Sequence, residues 1–558
     1  MDFPDESRTA ISVNLAILSK GFRSALFKSE QMSTAPQTVY FKVNQQALSG
    51  PLAENMLPSG YRIEALGSKR ETRVIYETFE WNAFEKGIVV EKRKRVLYLL
   101  DLKTGNKISS VPFSGKPSFF FADSLPPGET AELLRSCSLI RSFIKQCSVE
   151  IFSHPYRILD DNDKTIGILK SESWHSLDRS EDEPFAHIVS LRPNKGYQKD
   201  IELIEKSLTR DDAVGEALGF RKFFLFIMSA AGSTVQGYSS KIQLSLDADA
   251  PVHENTRRLL LFCLSIMRQN EEGIRKNMDT EFLHDYRVAI RRTRSLLKQL
   301  KGVFDPLVTR NYLNAFKDLG KRTNKLRDSD VCLLRQAAYF SYLPPTLQPS
   351  LKLFFCEIEK SRSSLHKLFC RYLESPDYRS FMDEWERFLS NPKIPDSALA
   401  PKAHIPTSRA ACSSIKKAWK KVLRHGRQIK RQATDKELHT LRINCKKLRY
   451  LLEFFSSVFP RDTIAPAIKQ LKELQDNLGS FVDYTVQIQF LHERLIPVAD
   501  KPGDRLCDAS IGGLMAILYQ KQEFSRQNFH ASFCMFDNED TTRLFHELLS
   551  RLHRDKNH

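Results

Sequence analysis

The sequence predicts two dissimilar halves, an α+β amino-terminal region with a mainly antiparallel sheet and an all-helical carboxy-terminal region made of two pseudo-symmetric bundles. Three observations carry this expectation. The alternating, turn-punctuated pattern of the first half gives way after Pro251 to long segments of 3.6-residue period. The net charge of +18 sits wholly in residues 251–558, which hold 53 Lys and Arg against 35 Asp and Glu, whereas residues 1–250 hold 32 of each. A duplication at an offset of 155 residues runs through the helical half.

At 558 residues the chain is too long for one core. Residues 1–36 read as an extension that ends in the linker-like Ser33-Thr34-Ala35-Pro36. Residues 37–230 form the first domain, 231–251 a Gly-, Ser- and Asp-rich linker, and 252–558 the helical domain, with repeats at about 252–400 and 401–558. Strands are expected at Val39–Val43, Thr72–Tyr76, Gly87–Leu102, Ser148–Phe152, Tyr156–Leu159 and His187–Leu191, parted by turns such as Lys103-Thr104-Gly105-Asn106. Helices are expected at about 199–209 and 212–230. Further on, Ser375-Pro376-Asp377 marks a helix start, with Ser as N-cap and Pro at the first helical position.

Ten cysteines are scattered without a CxxC pair or a His/Cys cluster at zinc spacing, which predicts reduced core thiols and no metal. The start, Met1-Asp2-Phe3-Pro4-Asp5-Glu6, is acidic where a secretory signal is basic. The apolar stretch Phe223–Ala231 is about half the length that spans a bilayer. A soluble, cytoplasmic protein without a membrane partner or a cofactor is expected. A positive field confined to one domain points to a polyanionic partner for that domain.

The repeat aligns Leu283-His284-Asp285-Tyr286-Arg287 with Leu438-His439-Thr440-Leu441-Arg442, and without a gap also superposes Phe304 on Phe459, Lys317 on Lys472, Asp328 on Asp483 and Val331 on Val486. Two copies of a helical unit imply two related bundles. In each copy His, Arg, Arg or Lys, and Arg recur at i, i+3, i+7 and i+10, within about 80° of one helix face at 100° per residue. His284, Arg287, Arg291, Arg294 and Lys298 make one stripe; His439, Arg442, Lys446 and Arg449 make the other. Ile290, Leu296, Leu297 and Leu300, and Leu441, Leu451, Leu452 and Phe455, point to the opposite, core side.

Lys317, Lys321 and Lys325 follow in the first copy, of which the second keeps only Lys472. Residues 401–450 add 15 basic groups against 2 acidic ones, part of them solvated surface. A solvated charged face is the plain alternative for any such stripe. A solvated face mixes signs, however, and within these two arcs the one acid is Glu453. Like charges at helical spacing repel by tenths of a kcal/mol per pair, and evenly spaced anions reverse that sign. Arg offers a planar fork to phosphate oxygens and Lys a mobile point charge.

His-x-x-Arg-Val-x-x-Arg-Arg-x-Arg at 284–294, Leu-Arg-Asp-Ser-Asp-Val at 326–331 and His-x-x-Arg-x-x-x-Lys-Lys-Leu-Arg-Tyr at 439–450 resemble the two halves of the CHAD family, the conserved-histidine α-helical domain, over about residues 250–558. The resemblance implies a pair of four-helix bundles with pseudo-twofold symmetry and a basic surface that binds inorganic polyphosphate, often at polyphosphate granules.

The segments Val74-Ile75-Tyr76-Glu77-Thr78 and Phe84-Glu85-Lys86-Gly87-Ile88-Val89-Val90 resemble, more distantly, the CYTH family with its triphosphate-tunnel fold, which implies a tunnel- or barrel-like sheet. With Lys42 placed on the lysine of that family's ExExK signature, Thr38 and Tyr40 stand where its glutamates belong. Triphosphate hydrolysis needs carboxylates to hold Mg²⁺ or Mn²⁺, so a degenerate, non-catalytic domain is expected. The expected function is binding of inorganic polyphosphate, with other polyanions as further ligands. The alternatives are a triphosphate or polyphosphate hydrolase in the amino-terminal tunnel and a nucleic-acid-binding protein.

Overall fold

A computed structural model describes residues 37–44, 57–179, 183–210, 212–430, 432–495 and 505–554. The proposed extension, residues 1–36, lies outside the described residues. The chain separates into two compact units, 1–239 and 240–558.

In the first unit, β1 (Val39–Val43), β2 (Tyr61–Ala65) and β3 (Lys69–Glu77) lead to the short helix α1 (Asn82–Glu85). The strands β4 (Ile88–Arg93), β5 (Val96–Asp101), β6 (Lys107–Pro112) and β7 (Phe119–Phe120) follow, then α2 (Glu129–Cys137). The long strand β8 (Phe143–Asp160), β9 (Thr165–Ser176), β10 (Ala186–Pro193), α3 (Gln198–Leu208), β11 (Val214–Leu218) and α4 (Phe220–Ala230) complete it. All eleven strands belong to one sheet, ordered β11-β1-β10-β9-β8-β3-β4-β5-β6, with β2 and β7 also paired to β8.

Every strand pairing described is antiparallel, as the short turn-linked strands lead one to expect. Alternation sorts the side chains: Val74, Tyr76, Ile88, Val90, Leu97 and Leu99 pack against Ala131, Leu133 and Leu134 of α2. Ile75, Val89, Val149, Ile151 and Ile188 pack against Phe220, Phe223, Phe224 and Ile227 of α4.

Three sequence expectations change here. The segment 87–102 is a hairpin, β4 and β5, turning at Lys94, whose φ of 50° lies in the left-handed region. Ser148–Phe152 and Tyr156–Leu159 are parts of the single strand β8, which continues through Pro155. The helix expected at 212–230 begins only at Phe220, because Val214–Leu218 pairs with β1 and satisfies that strand's outer edge, overriding a weak local helix preference. Of the cysteines, Cys147, Cys263, Cys332 and Cys445 are buried as expected of core thiols, whereas Cys356 and Cys534 are exposed.

The second unit is helical. Its first half comprises α5 (Val252–Arg275), α6 (Thr280–Gln299), α7 (Pro306–Arg322), α8 (Asn324–Leu334), α9 (Gln336–Tyr342), α10 (Gln348–Leu373) and α11 (Pro376–Ser390). The second half comprises α12 (Thr407–Gln428), α13 (Asp435–Phe454), α14 (Arg461–Leu495), α15 (Arg505–Gln527), α16 (Phe529–Phe536) and α17 (Glu539–Arg554). Starts at residues 252, 280 and 306 recur at 407, 435 and 461, each 155 residues on. Local signals set them: the Asp279 side chain caps α6, Asp305 caps α7 with Pro306 in its first turn, and Thr434 with Glu437 forms a capping box on α13. Ser375 caps α11 as its sequence predicts.

The two halves meet through equivalent elements. Pro251 bridges Pro406, its own counterpart, and Val252 N donates to Ile405 O at 2.8 Å while Thr407 N donates to Ala250 O at 3.0 Å. Helices α10 and α15 pack together through Leu351, Phe354, Phe355 and Ile358 against Ile511, Leu514 and Leu518. Contacts between equivalent positions are what a pseudo-twofold axis requires. Helices α6 and α13, which carry the two basic stripes, also touch each other.

Candidate anion-binding surface

The residues that face the core on α6 and α13 do so as the periodicity predicts: Ile290, Leu296, Leu297 and Leu300, and Leu441, Leu451, Leu452 and Phe455, are all buried. Burying these faces turns the stripes outward and brings their middle parts together across the α6/α13 seam. Burial and then the neighbouring Arg442 and Arg291 charges push the Lys446 ammonium down to about 8. Burial first, and then Arg291, holds Arg287 down to about 10. Arg442 is lowered by burial, with the Asp483 charge opposing and the Arg291 charge adding to it. Arg287, Arg291, Arg442 and Lys446 thus form one half-buried cationic cluster drawn from both repeats.

Each cation is steered by neighbours from adjacent helices. Arg287 Nη1 donates to Gly320 O at 3.2 Å and to Asn324 Oδ1 at 3.0 Å, and also reaches the Thr323 hydroxyl. Those acceptors exist because the chain breaks between α7 and α8. In the second repeat the equivalent stretch is the unbroken α14, and Arg442 Nη2 instead donates to Asp483 Oδ1 at 3.2 Å. Asp328, the counterpart of Asp483, faces Arg287 and favours its charge. Even so, donors exceed acceptors: the Nε–H groups of Arg287 and Arg291 are buried without a hydrogen-bond partner among the described residues.

The other sequence-selected residues are distributed around this cluster. His284 Nδ1 accepts from Arg327 Nη2 at 2.9 Å, which assigns the neutral Nε2–H tautomer in the free protein. His439, its counterpart, is exposed. Arg294, Lys298 and Lys317 line one groove between α6 and α7. Arg449 is tied to Glu453 at 2.7 Å and donates to Gln475 Oε1 at 3.3 Å. Lys321 pairs with Asp318 at 3.5 Å on the exposed outer side of α7, and Lys325 and Lys472 are exposed at other positions.

Sequence reasoning missed Asp328 and Asp483 as counter-charges, although the repeat superposes them. It also passed over Arg292 and Lys447, which lie one step, about 100°, off the stripe, and Lys301 and Arg310 of the groove.

In the first unit, strands β3, β4 and β9 bring together Glu71, Glu91 and Glu172, a carboxylate set that strand-by-strand reading did not reveal. Arg73 lies 3.0 Å from Glu71 and 3.5 Å from Glu91, and Arg93 also pairs with Glu91. Arg73 is held strongly charged by Glu91, Glu71 and Glu172, against the cost of burial. Tyr40, placed where a signature glutamate would stand, stacks on Phe223 at 4.0 Å. Among the described residues no group of three or more His, Cys, Asp or Glu side chains is arranged to hold a metal, and no helix is long and apolar enough to cross a membrane.

Residues 258–492 match the family model described as the CHAD domain. Among solved structures, the chain is similar to the crystal structure of the CHAD domain from the plant Ricinus communis, at 22% identity over 53% of this chain and 94% of that one, with a TM-score of 0.45. It is also similar to PptA from Streptomyces chartreusis, at 15% identity over 51% of this chain and 99% of that one, with a TM-score of 0.38. No curated protein sequence matches the chain.

Proposed function

From the match of residues 258–492 to the CHAD family model, we propose that this protein binds inorganic polyphosphate along the α6/α13 seam without catalysis, and that binding tethers it to polyphosphate granules in the cytoplasm. The supporting observation is the cluster of Arg287, Arg291, Arg442 and Lys446. Burial and the charge of Arg291 lower Arg287, Arg442 and Lys446 in the free protein, and an anion at the cluster relieves all three at once. A polymer suits the site better than a single phosphate, because the stripe from His284 to Arg294 extends about 15 Å along α6 at 1.5 Å per residue.

The first unit serves this reading as scaffold or partner surface. Of its clustered carboxylates, Glu71 pairs with Arg73 and Glu91 with Arg73 and Arg93, while Glu172 accepts from the Trp174 indole at 3.3 Å, so they are already engaged within the protein. Sustained phosphate release from tripolyphosphate in Mg²⁺ or Mn²⁺, lost on mutation of the first unit, would overturn the non-catalytic reading. Nucleic acid is the competing polymer, since any polyanion is rewarded by counterion release. The four residues that form the cluster, however, are Arg and Lys, with no aromatic side chain among them to stack on a base. Long-chain polyphosphate should therefore displace RNA at equal phosphate concentration; RNA displacing polyphosphate would sink the proposal.

The depressed Lys446 adds a pH signature. A bound anion favours the charged ammonium, so affinity falls as pH rises from about 8 towards the ordinary lysine value of 10.5. The free protein behaves oppositely. The unfolded chain holds that proton up to about 10.5 while the folded chain releases it near 8, so folding stability rises with pH across this window. Titrations over that range on the wild type and Lys446→Met test both signs; an equal fall in affinity for the two proteins would remove Lys446 from the site.

A further inference from the structure

The two stripes are related by sequence, but their surroundings differ at the two ends of the seam. Arg292 of α6 and Glu453 of α13 form an ion pair across it at 3.8 Å. The repeat maps Arg292 onto Lys447 and Lys298 onto Glu453, so the equivalent pair at the other end is Lys447 with Lys298, two cations. Burial lowers the Lys447 ammonium, and the charges of Lys421 and Lys298 lower it further.

Past Lys298 a groove of about 550 Å³ opens between α6 and α7, with Arg294, Lys298, Lys301, Arg310 and Lys317 above a floor that includes Leu297, Phe304 and Leu313. Among the described residues no carboxylate lines it. In the second repeat the five basic positions read Arg449, Glu453, Ser456, Ala465 and Lys472. Only two cations remain there, and Glu453 already holds one of them, Arg449, at 2.7 Å. One end of the seam is self-neutralised; the other carries surplus positive charge into an open channel.

We propose that a phosphate chain lying on the seam continues beyond it in one direction only, through the α6/α7 groove, with Lys301, Arg310 and Lys447 as further binding residues and Glu453 closing the opposite end. This rests on the polyphosphate reading above and gives that site a polarity. A short oligophosphate confined to the central cluster ignores the groove, whereas a long chain also reaches Lys301 and Arg310. Opening the closed end by Glu453→Gln frees Arg449 and Arg292 and raises long-chain affinity.

The test uses the full-length chain with long-chain polyphosphate and tripolyphosphate as probes. Lys301→Ala with Arg310→Ala should weaken the long chain about tenfold, flatten its salt dependence and leave tripolyphosphate unchanged. The matched pair on the second repeat, Arg461→Ala with Lys469→Ala, removes two equally exposed cations and should cost less than about twofold. Glu453→Gln should tighten the long chain. Equal losses from the two double variants would overturn the polarity while leaving polyphosphate binding intact. Undiminished binding of both probes by Arg291→Ala with Arg442→Ala would instead remove the central site on which the inference depends.

Discussion

Arg291→Ala combined with Arg442→Ala is expected to lower the affinity for long-chain polyphosphate about a hundredfold at low salt, counting roughly tenfold for each charge-assisted hydrogen-bonding group removed. The two guanidinium groups come from different repeats and meet at the seam, where each lowers the pKa of Lys446. Their removal therefore acts in three measurable ways. The slope of log K against log salt should flatten by about 1.4, taking about 0.7 per neutralised phosphate on a single-stranded polyanion. Lys446, freed of two neighbouring cations, moves back towards the ordinary lysine value, so the fall in affinity near pH 8 shifts upward. The free protein should lose little stability, because relief of the Arg291–Arg442 repulsion offsets loss of the Arg442–Asp483 contact, and thermal unfolding of the full chain checks this. A variant that keeps the wild-type salt slope would show that the seam is not where phosphate binds.

Arg362→Met should have the largest effect on folding. Asp330, in the Leu326–Val331 motif, is fully buried on α8. Arg362 Nε of α10 donates to its Oδ1 at 2.5 Å, while Arg362 Nη2 reaches Asn277 Oδ1 at 2.9 Å, in the turn before α6. The Oδ2 atom of Asp330 has no partner among the described residues. Removing the guanidinium leaves a buried carboxylate uncompensated, which costs about 3–5 kcal/mol. Burial already raises the Asp330 carboxyl above its usual range, and the Arg362 charge is what chiefly opposes that rise. In the variant the rise is larger, so the folded chain binds a proton that the unfolded chain has released, and the destabilisation shrinks as pH is lowered. Replacing both partners, Arg362→Met with Asp330→Leu, should recover most of the stability. Urea unfolding of the full chain at neutral and acid pH measures this. A destabilisation under about 1 kcal/mol for Arg362→Met would show that the pair is not the tie between these helices.

These two variants divide the Leu326–Val331 segment by role. Asp328 faces Arg287 in the cationic cluster, whereas Asp330, two residues on, points to Arg362 and holds the bundle together. Sequence identity alone did not distinguish them. The histidines show the same limit: both begin their stripes in phase, yet His284 is engaged by Arg327 while Val482 replaces that arginine in the second repeat and His439 is exposed.

The sequence by itself determined everything that depends on the chain's local geometry. A helix turns by a fixed angle per residue, so periodicity alone placed Arg287, Arg291 and Arg294 on one face and Ile290 and Leu297 on the other, and the offset of 155 residues matches the helix starts at 252, 280 and 306 to those at 407, 435 and 461. Alternation likewise marked most of the sheet, but short segments with weak patterns, such as Val214–Leu218, took their form from a neighbouring strand's need for partners. Only tertiary structure decided what each face meets. Packing of α6 on α13 converted two separate stripes into one cationic cluster, brought Asp328 and Asp483 up to it from neighbouring helices, paired Glu453 with Arg292, and set Lys298 beside Lys447 where the equivalent position has that ion pair. Charge interactions depend on distance and burial rather than on spacing along the chain, so the polarity of the surface is set by the fold and not by the repeat.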